Sequence, residues 1–395
     1  MRHVVILGCG MAGFHAARYL EEKLAGRRRV QLTVISDQAH FVFTPLLFTV
    51  ASGELKADHI AAPIDELLET RTRVVVDPIT SIDFEERSLQ GERDRYPFDY
   101  LIIATGSRRN PNIFQGASEL LAPTSLSDAT SIYQKLQQQK ELPSFNASII
   151  GAGLTGVQWA AQLASLQSDG GLPTGQINLL EAGSRILPHH SSQLAAHASD
   201  RLQRMGISIR TGTSVDTVTV DDSRWSLQLS PGETLTDQDG AFHCAGRRGS
   251  LPTAEPTHPQ VDPTNRLSVD ARLRLPDHHG VFAAGDITTR RQDWALHSTP
   301  QLAVQQGKWA ARNLLATMSG RSLRPFELES RGDFLPLGRH FTLLELGDVV
   351  LEGRPAWLAY RLYYTSMMPQ PIQRARLVMD WVARRITEKS PPEIT

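Results

Sequence analysis

Two six-residue stretches, Gly8-Cys9-Gly10-Met11-Ala12-Gly13 and Gly151-Ala152-Gly153-Leu154-Thr155-Gly156, repeat one spacing of three glycines 143 residues apart. Each follows a short apolar run (HVVIL at His3–Leu7, then Ala147–Ile150) and each opens a segment of helical period. Strand, glycine turn and helix in that order leave few folds open. The first glycine makes the turn, the second lets a pyrophosphate approach the backbone, and the third lets the helix pack on the strand. One such loop predicts a parallel α/β domain that holds a dinucleotide; two predict two of them in one chain.

The acids that should follow are present. Strand Val30–Ile35 ends at Ser36-Asp37, and strand Gln176–Leu180 ends at Glu181. At the end of the second strand, an acid accepts hydrogen bonds from a ribose diol and repels a 2′-phosphate, so the second site should prefer NAD. Two further strands close on small residues, Tyr100–Thr105 followed by Gly106, and Val281–Ala284 followed by Gly285-Asp286. Gly285 lets a ligand near the backbone, and Asp286 offers an acceptor to a sugar hydroxyl. A helix should begin near Pro300, with Gln301 and Gln305 on one face. Gly246 reads as another close-approach glycine, and Pro252–Pro263 as a linker back to the first domain.

The expected architecture is therefore α/β, with two Rossmann-like domains, the second inserted in the first, and a C-terminal amphipathic helical region. Boundaries are expected at 1–110 and 263–330 for the first domain, 111–262 for the inserted one and 331–395 for the C-terminal region. A chain of 395 residues suits this plan. The net charge of −1 argues against a nucleic-acid partner. The only cysteines are Cys9, a small residue in a tight turn, and Cys244, and no HExxH pair occurs, so no metal is expected. No run of about 20 apolar residues occurs, and Met1 leads directly into a strand, so a leader is not expected.

With both loops, Ala104-Thr105-Gly106 and Ala284-Gly285-Asp286 in place, the chain resembles the two-dinucleotide-binding flavoproteins. Within them, PQLAVQQG at 300–307 is similar to the A-Q-x-A-x-Q quinone motif of type II NADH dehydrogenases. FVFTPLLFTVASGEL at 41–55 and LGRHFTLLEL at 337–346 extend the likeness over nearly the whole chain. The resemblance implies FAD at the first loop. Gly8, Gly10, Gly13, Ser36 and Asp37 would surround its ADP half, with the Ile79 backbone at the adenine. Thr44, Pro45, Ala104, Thr105, Gly106, Gly285, Asp286 and Gln301 would line the flavin half. It implies NADH at Gly151, Gly153, Gly156, Glu181 and Gly246, and a membrane quinone at Gln301 and Gln305. Hydride would pass from NADH to flavin and two electrons to quinone, without proton pumping and without a side-chain acid or base. The alternatives are a reductase of one naphthoquinone biosynthetic intermediate, or a flavoprotein that binds or senses without turnover. Four positions depart from the family pattern: Ser36 and Gln158 for acids, Thr44 for Gln, and Pro300 for Ala.

The tail carries two helical stretches separated by Pro369 and Pro371. Ile372, Ala375, Met379, Val382 and Ile386 form an apolar stripe in the second, with Arg374, Arg376, Arg384 and Arg385 off it. Trp357, Tyr360, Tyr363 and Tyr364 make the first aromatic. From 356 to 389 the residues suit equally a bilayer surface and a helix pair packed on its own domain or on a twin subunit. The resemblance implies the membrane, so the chain is expected as a peripheral protein on the cytoplasmic face of the membrane, and as a homodimer.

Overall fold

The computed structural model describes residues 1–27, 29–230, 232–254, 258–290, 299–330 and 332–387. Residues 291–298 and the tail charges Glu388 and Lys389 lie outside the described residues, as do the side chains of Arg384, Arg385 and Ile386. Along the chain, strand β1 (Arg2–Leu7) leads into helix α1 (Met11–Leu24), β2 (Val30–Ser36), β3 (Arg73–Val76) and β4 (Tyr100–Ile103). The plan then repeats as β5 (Ala147–Ile150), α2 (Leu154–Ser168), β6 (Ile177–Leu180), β7 (Ile207–Arg210) and β8 (Gly240–His243). Strand β9 (Val281–Ala283) and helix α3 (Pro300–Met318) follow, and the chain closes with α4 (Arg354–Met367) and α5 (Pro371–Thr387).

The chain divides into two compact units. In the first, five parallel strands lie in the order β9-β4-β1-β2-β3. Val4, Val5, Ile6, Leu101, Ile102 and Ile103 are buried without polar interruption, as a sheet covered on both faces requires. The chain moves from β1 to β2 on one side and takes β4 and β9 to the other. That reversal opens a crevice at the carboxyl ends of the central strands. Helix α3 lies against α1 so closely that a Cβ on Gly307 would stand 2.1 Å from the Ala12 carbonyl oxygen.

The second unit repeats the plan with four parallel strands, β7-β6-β5-β8. Its antiparallel sheet, Ser214–Asp221, Arg224–Ser230 and Glu233–Gln238, packs Trp225, Leu227 and Leu229 against Ile150 and Leu180.

The units divide at 110/111, and the return falls at Gly246, ahead of the Pro-rich segment at 252–263. Backbone pairing sets that point. Arg247–Gly249 pairs antiparallel with Ser107–Arg109, and Thr253–Ala254 joins Ile79–Asp83, both within the first unit. Leu46–Ile60 and the segment after residue 330 belong to the second unit.

The tail shows the described part of its apolar stripe to solvent. Helix α5 buries Gln373 and Leu377 and joins Asp380 Oδ2 to His59 Nδ1. Ile372, Met379 and Val382, on the other side of that helix, are more than half exposed. Leu358 and Leu362 of α4 and Val349 of the preceding hairpin are exposed as well. Among the described residues no helix is long and apolar enough to cross a membrane.

Candidate functional site

The glycines of the two loops meet the same surroundings one by one. Gly8 and Gly151 have φ of +95° and +97°, a turn that L side chains rarely adopt. A Cβ on Gly10 or Gly153 would meet nothing within 4 Å, so the backbone there is open to a ligand. A Cβ on Gly13 would stand 1.9 Å from the Gly8 carbonyl oxygen, and one on Gly156 1.8 Å from that of Gly151. The three expected roles are thus separate in space: turn, open approach, helix packing.

Helix starts differ along the chain, and α4 also begins at a glycine, Gly353, without a side-chain cap. The helix Leu126–Gln138, the helix Ser192–Arg204 and α3 each begin with a hydroxyl cap, from Ser125, Ser191 and Thr299. Helices α1 and α2 begin at Gly10 and Gly153 with no side-chain cap and no acid in the first turn. Uncapped amides with a positive dipole end form a ready anion site. A pyrophosphate fits both, because it supplies the missing charge and acceptors where a Cβ is absent.

Each loop is completed by acceptors from neighbouring strand ends. In the second unit the Glu181 carboxylate accepts from Ala152 N and from Gly183 N, each at 2.8 Å, so its orientation is fixed beside the loop. A carboxylate oxygen has two lone pairs, which leaves capacity for a ribose diol. In the first unit Ser36 is buried and its hydroxyl accepts from Gln38 N at 3.2 Å, while Asp37 is exposed. Thr44 is exposed and Pro45 half-buried, and Ile79 begins a strand whose register slips beside it.

The carboxyl edge of the first sheet gathers Gly8–Gly13, Ser36-Asp37, Ala104–Gly106 and Gly285-Asp286. Thr105 Oγ1 is buried there without a hydrogen-bond partner among the described residues. An orphaned hydroxyl at this edge fits a ligand rich in acceptors such as FAD.

Ser107, Arg247 and Gln306 at this edge escaped the sequence reading. Ser107 Oγ donates to Asp286 Oδ2 at 2.9 Å and accepts from Arg247 Nε at 2.8 Å, which fixes the carboxylate. Gln306 is buried, and its Oε1 accepts from Gly285 N at 2.7 Å, pinning the turn that presents Asp286. Gly246 opens the chain's return to the first unit at φ +58°, and its carbonyl accepts from Asn110 N.

The two quinone-motif glutamines differ. Gln305 spends both ends of its amide on one residue: Nε2 donates to Glu329 O at 2.9 Å and Oε1 accepts from Glu329 N at 3.0 Å. Gln301 Nε2 is buried with no partner among the described residues.

Neither cysteine forms a disulfide. Burial pushes the Cys9 thiol up to about 12, with a smaller contribution from the Glu21 charge. A pKa raised that far leaves almost no thiolate at pH 8. Iodoacetamide at that pH should leave Cys9 of the folded protein unmodified; alkylation at the pace of the unfolded chain, read by peptide mass, would contradict the packing. The Cys244 Cβ lies 3.3 Å from the position of a Cβ on Gly156, as the Ala104 Cβ does for Gly13. Cys244 and Ala104 are therefore counterparts, small residues that let a loop close.

A family model described as pyridine nucleotide-disulphide oxidoreductase matches residues 2–307, which include both loops and both acceptor sets. The chain belongs to that family. A demethylphylloquinone reductase of Synechocystis is 28% identical to this chain, over 96% of each. A type II NADH:quinone oxidoreductase of Mycobacterium tuberculosis is 27% identical, over 96% of this chain and 87% of its own. Among solved structures, NDH2 from Plasmodium falciparum in complex with NADH superposes with a TM-score of 0.82 at 17% identity, over 97% of this chain and 98% of that one. The sulfide:quinone oxidoreductase of Aquifex aeolicus gives 0.81 at 16%, over 98% and 95%. At such identities the likeness concerns the fold, and chemistry must be argued from this chain's own residues.

Proposed function

We propose that this family member is an FAD-dependent NADH:quinone oxidoreductase that works at a membrane surface and moves no protons across it. The observation that carries the reading is the pair of uncapped glycine loops, each completed by a fixed acceptor, in a chain similar to named quinone reductases. FAD in the first loop would accept a hydride from NADH and deliver two electrons to a quinone. The chain's own part is to bind, orient and exclude water. Gly10 and α1 hold one pyrophosphate, Gly153 and α2 the other. The Glu181 carboxylate takes a ribose diol and disfavours a 2′-phosphate, and Asp286, fixed by Ser107 and Gln306's turn, accepts from the flavin's polyol. Within the family, sulfide or disulfide chemistry calls for reactive thiols, whereas Cys9 is held protonated.

Gln301 is the stronger candidate for contact with the quinone, since its Nε2 has no partner among the described residues, while Gln305 holds the Glu329 backbone in place. In Gln301→Ala, anaerobic NADH should bleach the flavin at the wild-type rate while quinone reduction slows about tenfold, the scale of one lost hydrogen bond in a closed site. Equal loss in both half-reactions would remove Gln301 from the quinone step.

A second reading has one observation in its favour: the Synechocystis relative, matched over nearly its whole length, is named for a single quinone. A panel of ubiquinone, menaquinone and demethylated naphthoquinone analogues separates the two. Comparable kcat/KM across the panel supports a respiratory role, and a preference of a hundredfold or more for one naphthoquinone supports a biosynthetic one.

The membrane is met by the exposed side of α5, with Ile372, Met379 and Val382, and by Leu358 and Leu362 of α4. Apolar side chains this numerous in water mark an interaction surface. Ile372→Asp/Met379→Asp leaves the buried side of α5 untouched and should abolish pelleting with phospholipid vesicles while the protein stays folded. Unchanged pelleting would assign this surface instead to the twin subunit of a homodimer.

A further inference from the structure

The first unit carries a cleft of about 500 Å³ on α1, α3 and the segment that follows α3. Lys23, Arg27, Arg312, Arg321 and Arg324 all line it, in a chain whose net charge is −1. Lys23 pairs with Glu22, but Arg27, Arg312, Arg321 and Arg324 form no ion pair with an acid among the described residues. Arg312 stacks over the Trp309 ring at 5.1 Å. Tyr19, Ser319 and Ser322 add hydroxyls to the same walls.

Like charges brought together repel one another even where solvent screens them, and a bound anion would relieve that repulsion. Helices α1 and α3 both end near here, and a cation at each carbonyl end is favourable. One or two would serve that purpose; five exceed it. The segment bearing two of the arginines is also held rigid. Asn313, buried in α3, donates to Arg324 O at 2.9 Å and accepts from Arg324 N at 3.0 Å. Trp309 Nε1 donates to the same carbonyl at 3.1 Å, Arg321 N donates to Ala316 O at 2.8 Å, and buried Phe326 anchors the far end. Cations on a fixed backbone meet an anion with little ordering left to do, and guanidinium forks match phosphate oxygens in pairs.

We infer that this cleft binds an anion carrying two or more phosphate groups, either a free oligophosphate or the headgroup of a phosphate-rich lipid. The full-length holoprotein is titrated calorimetrically with inorganic tripolyphosphate, at low salt and at 150 mM salt. Saturable one-to-one binding is expected, weakened at least tenfold in Arg27→Gln/Arg321→Gln and less than twofold in Lys140→Gln/Arg204→Gln, which removes equal charge from exposed positions elsewhere. Co-sedimentation with cardiolipin-containing and with pure phosphatidylcholine vesicles tells the sources apart. A loss by the arginine pair confined to cardiolipin points to a headgroup, and loss of tripolyphosphate binding alone to a free anion. No saturable binding by the wild type, equal weakening in both variants, or a lowered melting temperature with unchanged affinity would overturn the inference. The last of these would leave the arginines as caps of helix ends.

Discussion

Gly156→Ala should yield a yellow protein that NADH no longer reduces. The added Cβ would stand 1.8 Å from the Gly151 carbonyl oxygen, a backbone atom that cannot step aside without opening the loop. Displacing the pyrophosphate by about 1 Å is enough to cost a hundredfold in rate, because hydride transfer depends on position. The first loop lies in the other compact unit, so flavin content should be unchanged. Stopped-flow mixing with NADH reads the loss, and dithionite, which needs no nucleotide site, should still bleach the flavin. Full-speed bleaching by NADH would mean that this loop does not seat the nucleotide.

The second large effect is expected at Gln306→Leu. It removes the acceptor of the buried Gly285 N–H, and an unsatisfied buried donor costs about 1–3 kcal/mol. The cost falls on the turn that presents Asp286, so flavin affinity should drop about tenfold or more, read from free flavin after gel filtration. Gln306→Glu keeps an acceptor in that place and should lose less than Gln306→Leu. Equal flavin content in Gln306→Leu and wild type would show that the turn stands without it.

That residue also shows where reading a sequence stops. The roles of Gly8, Gly10 and Gly13 are local: each depends on atoms within one strand–turn–helix, so the spacing alone carried them. Gln305 and Gln306 are adjacent, yet a helix turns about 100° between them. Only the packing of α3, set by Gly307 against Ala12, determines which one faces the Gly285 turn and which reaches Glu329. Ser107 and Arg247 are 140 residues apart, and their bond follows from the pairing of two short strands that no periodicity announces. The counterpart relation of Ala104 and Cys244 had a signal: aligning the two repeats by their glycines places both at the end of a later parallel strand. The exposure of Ile372 and Met379 was half legible. Their spacing gave the stripe, but only the docking of Gln373, Leu377 and Asp380 showed which side of the helix faces water.

The bare amino ends of α1 and α2 have a consequence beyond recognition. Three other helices of this chain have their first turn finished by a serine or threonine; in these two, on the function proposed above, the finishing piece is a diffusible molecule. With nucleotides seated there as proposed, occupancy and local order become a single equilibrium. The supply of such nucleotides would then govern how long the polypeptide survives as well as how fast it turns over.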